Sequence, residues 1–384
     1  MDSTKRYQRL LERYRNGDLE RRSFLGLLGC AGLAAGVSGT MFTAWARNAR
    51  AAVEELRFDG WGGVVSEALR KHAFDPYEKA TGIKVVDATF GGEEEVLTKA
   101  KAGRPGEYNL VHSSGISWYK RWIDGGYGVV LNLDNIPNIK LVMTALMEPF
   151  WKITPNGLSA APYDYGTTGI AYNTKYVSKE EAESLAANLL IKKDLKGKIG
   201  GWGGSFQTRI WFAALQTGQD PNNIADIDAV WDKVREHRGL VKKYWGSGAE
   251  LMSLLAEEEI YVTEAWSGRV AALRQQGHPI GYLDPPNGLA WMEDMFVIKG
   301  SPLPECEKLL NFMLEPETAI AVAIGQNYPP SLDPSKVDMP EAVHKLPAFD
   351  PTGKLANLTF GDPDYWTKNE AAWKKTWNRI KKGF

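Results

Sequence analysis

At 384 residues the chain is longer than one hydrophobic core ordinarily organises, so two lobes are expected. Hydrophobic residues at 43% and charged ones at 24% describe a globular protein, not a low-complexity or disordered chain. The formal net charge of −1 gives no basic excess, which argues against a nucleic-acid partner.

Residues 1–51 read as a segment apart from the fold. Met1 to Arg22 is polar and carries Lys5, Arg6, Arg9, Arg13, Arg15, Arg21 and Arg22, and Phe24 to Ala46 then holds no charge. Small-x-small sites follow at Ala44-Trp45-Ala46 and Ala49-Arg50-Ala51. A basic region, an apolar region and such a cleavage site describe an export signal. Arg21-Arg22-Ser23-Phe24-Leu25 is similar to a twin-arginine signal, departing from it at Glu20. Two alternatives stand beside it. One is a membrane anchor, because an uncharged run of this length just crosses about 30 Å of hydrocarbon. The other is a lipoprotein, for which Leu27-Leu28-Gly29-Cys30 is a poor lipobox. Loss of the segment removes nine of 46 basic and four of 47 acidic residues, leaving 37 against 43. Cys30 falls within it, so Cys306 has no intramolecular partner and reads as a half-buried structural thiol.

Leu56 to Trp61 alternates as a strand, and a helix is predicted from Gly62-Gly63 to about Tyr77. Gly82 to Val86 and Tyr108 to His112 are the next strands, with helices at Glu93 to Ala102 and Ile116 to Ile123. This alternation implies a parallel sheet with right-handed crossovers, whose ligands bind beyond the carboxyl ends of the strands. Ala161 to Gly169 reads as a turn-rich crossing to a second lobe, leading into a strand at Ile170 to Asn173. Helices are expected at Lys179 to about Lys192, at Phe206 to Thr217 with Ser205 as N-cap, at Ile227 to Lys243 and at Glu250 to Glu259. Ile260 to Trp266 is a strand. The chain returns through Trp291 to Lys299 into a helix at Pro304 to Leu314, and a last helix at Glu370 to Lys382 is expected on the outside. Strand-like crossings without a flexible linker point to a hinge.

Signatures of catalysis are missing. The five histidines have no metal spacing, and there is no His-Glu-x-x-His, Cys-x-x-Cys, Gly-x-Ser-x-Gly elbow or phosphate loop. Gly200-Gly201-Trp202-Gly203-Gly204 lacks the Lys-Ser/Thr ending of a nucleotide loop and reads as a tight strand-to-helix turn. No metal or cofactor is expected. What the sequence does offer is aromatic residues at strand ends. Trp61, Tyr165, Trp202, Trp266 and Tyr328 sit beside Gly, Ser or Pro, and Trp291 heads the run Trp291-Met292-Glu293-Asp294. Each is either a core residue or the lining of a cleft. Asp59, Asp164, Glu264, Glu293 and Asp294 lie nearby, as do Arg209 and Arg269. A ring over a ligand ammonium contributes about 0.5–2 kcal/mol, and a desolvated carboxylate adds charge-assisted hydrogen bonds.

Ala80-Thr81-Gly82-Ile83-Lys84-Val85, Tyr108-Asn109-Leu110-Val111, Pro162-Tyr163 with Gly166-Thr167-Thr168-Gly169-Ile170, Trp266-Ser267-Gly268, Trp291-Met292-Glu293, and Ile324-Gly325 with Tyr328-Pro329 occur in that order. In these residues, from about Leu56 to Pro330, the sequence resembles the spermidine/putrescine-binding proteins of ABC importers. The resemblance implies an α/β, type II periplasmic-binding-protein fold, with two lobes of mixed sheets joined by a hinge. It divides the chain into a signal at 1–51, one lobe at 52–169 plus 292–336, and a second at 170–291 plus 337–384. By matching position it implies that Trp61, Trp266 and Trp291 sandwich a polyamine. Ser114 is then a polar contact, Tyr328 a late aromatic one, and Glu293 stands where the family usually has an amine-holding Asp. The sequence departs from the family where Phe206 and Arg209 stand near the positions of family carboxylates, and at Arg269, where some relatives place an acid. Guanidinium groups in place of carboxylates oppose a dication in a dry site. Either Asp164, Glu264 and Asp294 replace the lost acids, or the ligand carries a negative group.

The expected function is the periplasmic solute-binding component of an ABC importer, a monomer that works with importer permease subunits. Its expected ligand is a polyamine (putrescine or spermidine) or a related amine, held in an aromatic cleft between the lobes. The candidate ligand-binding residues are Trp61, Ser114, Asp164, Tyr165, Arg209, Trp266, Arg269, Trp291, Glu293 and Tyr328, with no catalytic residue. One alternative is the same fold holding a zwitterionic or anionic solute (amino acid, opine or phosphonate) through Arg209 or Arg269. The other is an exported enzyme.

Overall fold

The computed structural model describes residues 53–356 and 358–383, so the signal, anchor and lipobox readings of residues 1–51 lie outside the described residues. β1 (Glu55–Gly60), β2 (Lys84–Thr89) and β3 (Leu110–Ser114) pair in parallel with β1 in the middle, as the β-α-β-α-β pattern predicts. The helix after β1 runs through Gly63–Leu69, a π-helical turn at Arg70–Phe74 and Asp75–Thr81. It stops at Gly82, which takes the left-handed conformation that favours glycine (φ 75°).

Seven further strands follow: β4 (Ala160–Asn173), β5 (Ile199–Trp202), β6 (Val241–Trp245), β7 (Val262–Trp266), β8 (Ile280–Leu283), β9 (Leu289–Val297) and the short β10 (Thr359–Phe360). They complete one sheet in the order β2-β1-β3-β9-β4-β7-β5-β6, with β8 on β4 and β10 on β9. The sheet is mixed, because β9 runs antiparallel between β3 and β4.

The stretch Ala161 to Gly169, read as a turn-rich crossing, is continuous strand. β4 is 14 residues long and buried throughout. Its apparent breakers have other work. Pro162 sits at the bulge where the β4–β9 register shifts. A Cβ on Gly166 would lie 2.6 Å from the Trp291 indole, and one on Gly169 would lie 2.5 Å from the Leu283 carbonyl oxygen. These glycines give clearance rather than bends. Three helix ends also move. The segment from Lys179 is α-helical only to Leu185, the helix from Ile227 yields to β6 after Leu240, and the last helix is Pro363–Lys381. It starts early because Asp362 caps it, accepting the Tyr365 N–H at 2.7 Å.

The apolar core changes hands along β4 and β9. One large cluster joins β1 to β3, Tyr163 and Tyr165 of β4, Met292 to Ile298, and the helices Leu303–Met313 and Pro316–Gln326. Three smaller clusters centre on Ile170 with Phe212, on Trp211 with Trp366 and Trp377, and on Trp245 with Val270. Val337, Met339 and Leu355 pack on the large cluster, whereas Trp366, Trp377 and Ile380 belong to a small one. Cys306 lies fully inside the large cluster. No helix among the described residues is long and apolar enough to cross a membrane.

The last helix is therefore part of the core. Trp377 is 2% exposed and packs edge-on against Tyr244 at 5.3 Å. Trp377→Ala should cost about 3–5 kcal/mol of stability in urea unfolding. A loss below about 1 kcal/mol would show that the helix only rests on the surface.

Candidate ligand site

Antiparallel register sets Ser114 of β3, Glu293 of β9 and Asp164 of β4 side by side across three strands, on one face of the sheet. Two residues along β9, Trp291 lies opposite Gly166, and two further along β4, Thr168 lies opposite Trp266 of β7. Trp61 follows the last residue of β1.

Glu293 is the meeting point. It accepts hydrogen bonds from Ser114 Oγ at 2.6 Å and Trp61 Nε1 at 3.1 Å, and it touches His112 Nε2. His112 is fully buried and its Nε2 stands 2.9 Å from the Tyr163 hydroxyl. The buried Glu93 carboxylate accepts the Ser114 backbone N–H at 2.7 Å. Asp164 accepts from the Gln326 amide, while its Oδ1 has no partner. The Tyr328 ring meets Trp291 edge-on, 4.9 Å between centroids.

Burial pushes the Asp164 carboxyl well above the usual carboxylate range, and the Glu293 charge adds to it. Burial does the same to Glu93, assisted by Glu293 and Asp294 and opposed by the Ser114 N–H. Burial raises the Tyr328 hydroxyl to about 12, with Arg269 pulling it down and Glu293 and Asp164 pushing it up. The site thus gathers acidic groups in a nearly dry place, and a ligand cation would favour their charged forms.

A second group lies across the boundary between the cores. Half-buried Trp266 packs edge-on against Trp202 at 4.9 Å and Trp245 at 5.1 Å, and the Arg269 guanidinium lies 5.9 Å from its ring centroid. Gly268 carries this group onto the first, since a Cβ there would come 2.5 Å from the Tyr328 ring.

The structure therefore brings Trp61, Ser114, Asp164, Glu293, Trp291 and Tyr328 together, with Trp266 and Arg269 adjoining through Gly268. It keeps two candidates inside the protein. Tyr165 is fully buried in the large cluster and its hydroxyl accepts the Asp350 N–H at 3.1 Å, because alternation turns it away from Asp164. Arg209 is 1% exposed and donates to Glu264 at 2.5 Å. Burial pushes the Arg209 guanidinium down and the Glu264 carboxyl up, and each charge opposes the shift of the other. Glu264 is thereby spent on Arg209, and Asp294 lies on the opposite face of β9 with no exposure, so of the three replacement acids Asp164 alone joins Glu293. Sequence reasoning missed His112, Glu93 and Gln326. Glu93 opens a helix, where an acid is ordinarily a solvated first-turn residue, and nothing local reports its burial.

The site is thus an aromatic and acidic face where two cores meet. Residues 72–351 match the bacterial extracellular solute-binding protein family, and the chain belongs to that family. It is a binding protein, not an enzyme. It is 25% identical over 335 residues to a putrescine-binding periplasmic protein of Pseudomonas aeruginosa, covering 83% of this chain and 90% of the relative. Among solved structures it is similar to an ABC transporter substrate-binding protein from Bradyrhizobium japonicum (TM-score 0.71, 22% identity, 85% of this chain and 99% of that one). A binding protein from Agrobacterium tumefaciens in complex with glucopine is equally similar in fold (TM-score 0.71, 20% identity, 85% and 99%). The fold is the α/β type II periplasmic-binding-protein fold, here with one continuous mixed sheet where two separate sheets were expected.

Two predictions follow the charges. Asp164 has its folded pKa above its unfolded value, so below about pH 4 both states hold the proton. As pH rises the unfolded chain ionises first, and the stability of the ligand-free protein falls. Asp164→Asn should match the parent near pH 4 and exceed it at pH 7 in urea unfolding; a variant no more stable than the parent at pH 7 would refute this. Arg209→Ala strips a buried carboxylate of its cation and should cost about 3–5 kcal/mol in the same assay. A full-stability variant that fails only in binding would instead make Arg209 a ligand contact.

Proposed function

We propose that the solute is a small organic amine whose ammonium group docks at the paired carboxylates of Glu293 and Asp164. The chain serves as the periplasmic solute-binding component of an ABC importer. The observation that carries this reading is the Ser114–Glu293–Asp164 row, edged by Trp61, Trp291 and Tyr328. An ammonium there gains charge-assisted hydrogen bonds of about 1.5–3 kcal/mol each and about 0.5–2 kcal/mol from each ring face it meets. Putrescine and spermidine belong to this ligand class, and one relative is named for putrescine.

The change of core within β4 and β9 supports a hinge at those strands, with lobes dividing near 169/170 and 291/292. The packing of Val337, Met339 and Leu355 on the large cluster favours assigning 337–355 to the first lobe. Twin-arginine export of residues 1–51, docking of a monomer on permease subunits and delivery of the amine to them complete the proposal on the sequence pattern.

Tryptophan fluorescence of the purified protein tests it. Putrescine, spermidine or an amino acid from a standard panel should shift the emission, and Glu293→Gln should weaken that ligand by roughly tenfold or more. A response confined to compounds without an ammonium group would end the amine reading.

A further inference from the structure

Arg269 is a cation that no carboxylate of the described residues pairs with. It is 8% exposed, its Nη1 is buried without a hydrogen-bond partner, and its guanidinium lies over Trp266, which shares the sheet face of Glu293 and Asp164. It occupies the first turn of the helix Ser267–Gln275, which has neither a side-chain cap nor an acidic residue in that turn. Uncapped N–H groups and the positive end of the helix dipole meet an unpaired guanidinium there, a combination suited to an anion. The site is tied to the amine end of the face: Gly268, next in the chain to Arg269, rests on the ring of Tyr328, which in turn packs on Trp291. Arg209 differs in that its charge is already matched by Glu264.

We infer that the solute is an amino acid with its charges at opposite ends, its ammonium at Glu293 and Asp164 and its carboxylate at Arg269 and the N-terminus of helix Ser267–Gln275. The inference rests on the amine reading and narrows it. A diamine of the same length places its second ammonium against Arg269, where like charges repel and no acid is free to receive it.

Calorimetric titration of the purified full chain decides this, with the ω-amino acids from 4-aminobutyrate to 6-aminohexanoate each set against the diamine of matching span. At least one amino acid should bind about tenfold or more tightly than its diamine. Arg269→Gln should remove that preference and Arg269→Lys should keep it, with circular dichroism confirming that each variant is folded. Diamines that match or exceed the amino acids at every length overturn the inference and leave the amine reading intact. A preference that survives in folded Arg269→Gln also overturns it. No binding by any ammonium compound removes both readings. If Arg269→Gln does not fold, the length series on the parent and the Arg269→Lys variant decide.

Discussion

Negative charge withdrawn from water without enough matching cations is the constraint around which this protein is arranged. Glu93, Asp164 and Glu293 sit close together, held by the hydrogen-bond donors of Ser114, Trp61 and Gln326 and by contact with His112. Desolvated carboxylates resist such placement unless a partner compensates them. The row does not arise by relaxation of flexible side chains. It is fixed by backbone register across three strands, so the core on which those strands rest sets the geometry and offsets the strain. A cation placed beside these carboxylates would favour their charged forms.

The same strands explain why this charge is placed where it is. β4 and β9 are the two strands along which one apolar core gives way to the others, with Asp164 a few residues before the change on β4 and Glu293 just after it on β9. Trp266 and Arg269 lie beyond it, at the end of β7 and the start of the next helix. A solute that touches both groups therefore spans the change of core, and its contacts bear on the relative placement of the two parts. Gly268 matters here for its lack of a side chain, which lets its helix approach the Tyr328 ring and sets the two groups side by side.

Much of this was legible in the sequence, and the failures have a common physical cause. Aromatic residues at strand ends were readable because a strand end is a local feature, and Trp61, Trp266 and Trp291 are half-buried. Pro162, Gly166 and Gly169 misled because their turn signal is also local, while the reason for two of them is a ring or carbonyl arriving from a distant strand. Once Ala160–Asn173 is a strand, Asp164 and Tyr165 cannot both point to the face that carries Glu293, so strand parity alone separates them. Arg209 could not be removed in this way. Its partner Glu264 is 55 residues away, and only the tertiary fold pairs them. His112 was hidden by the apolar strand around it, and Glu93 by its place at a helix start.

The pairing of Arg209 with Glu264 then acquires a meaning beyond stability. Glu264 pairs with Ile170, two residues along from the Thr168–Trp266 pair, and so lies on the same side of β7 as Trp266. Left free, that carboxylate would make the far end of the face as acidic as the near end, and a dication would suit both. Arg209 cancels it from within, and the Trp202 N–H takes its other oxygen at 3.3 Å. With Glu264 neutralised, Arg269 sets the sign of that end. The face is acidic at Glu293 and Asp164 and basic at Arg269. Two arginines on helices that each follow a strand thus act in opposite ways: one erases a charge, and the other presents one.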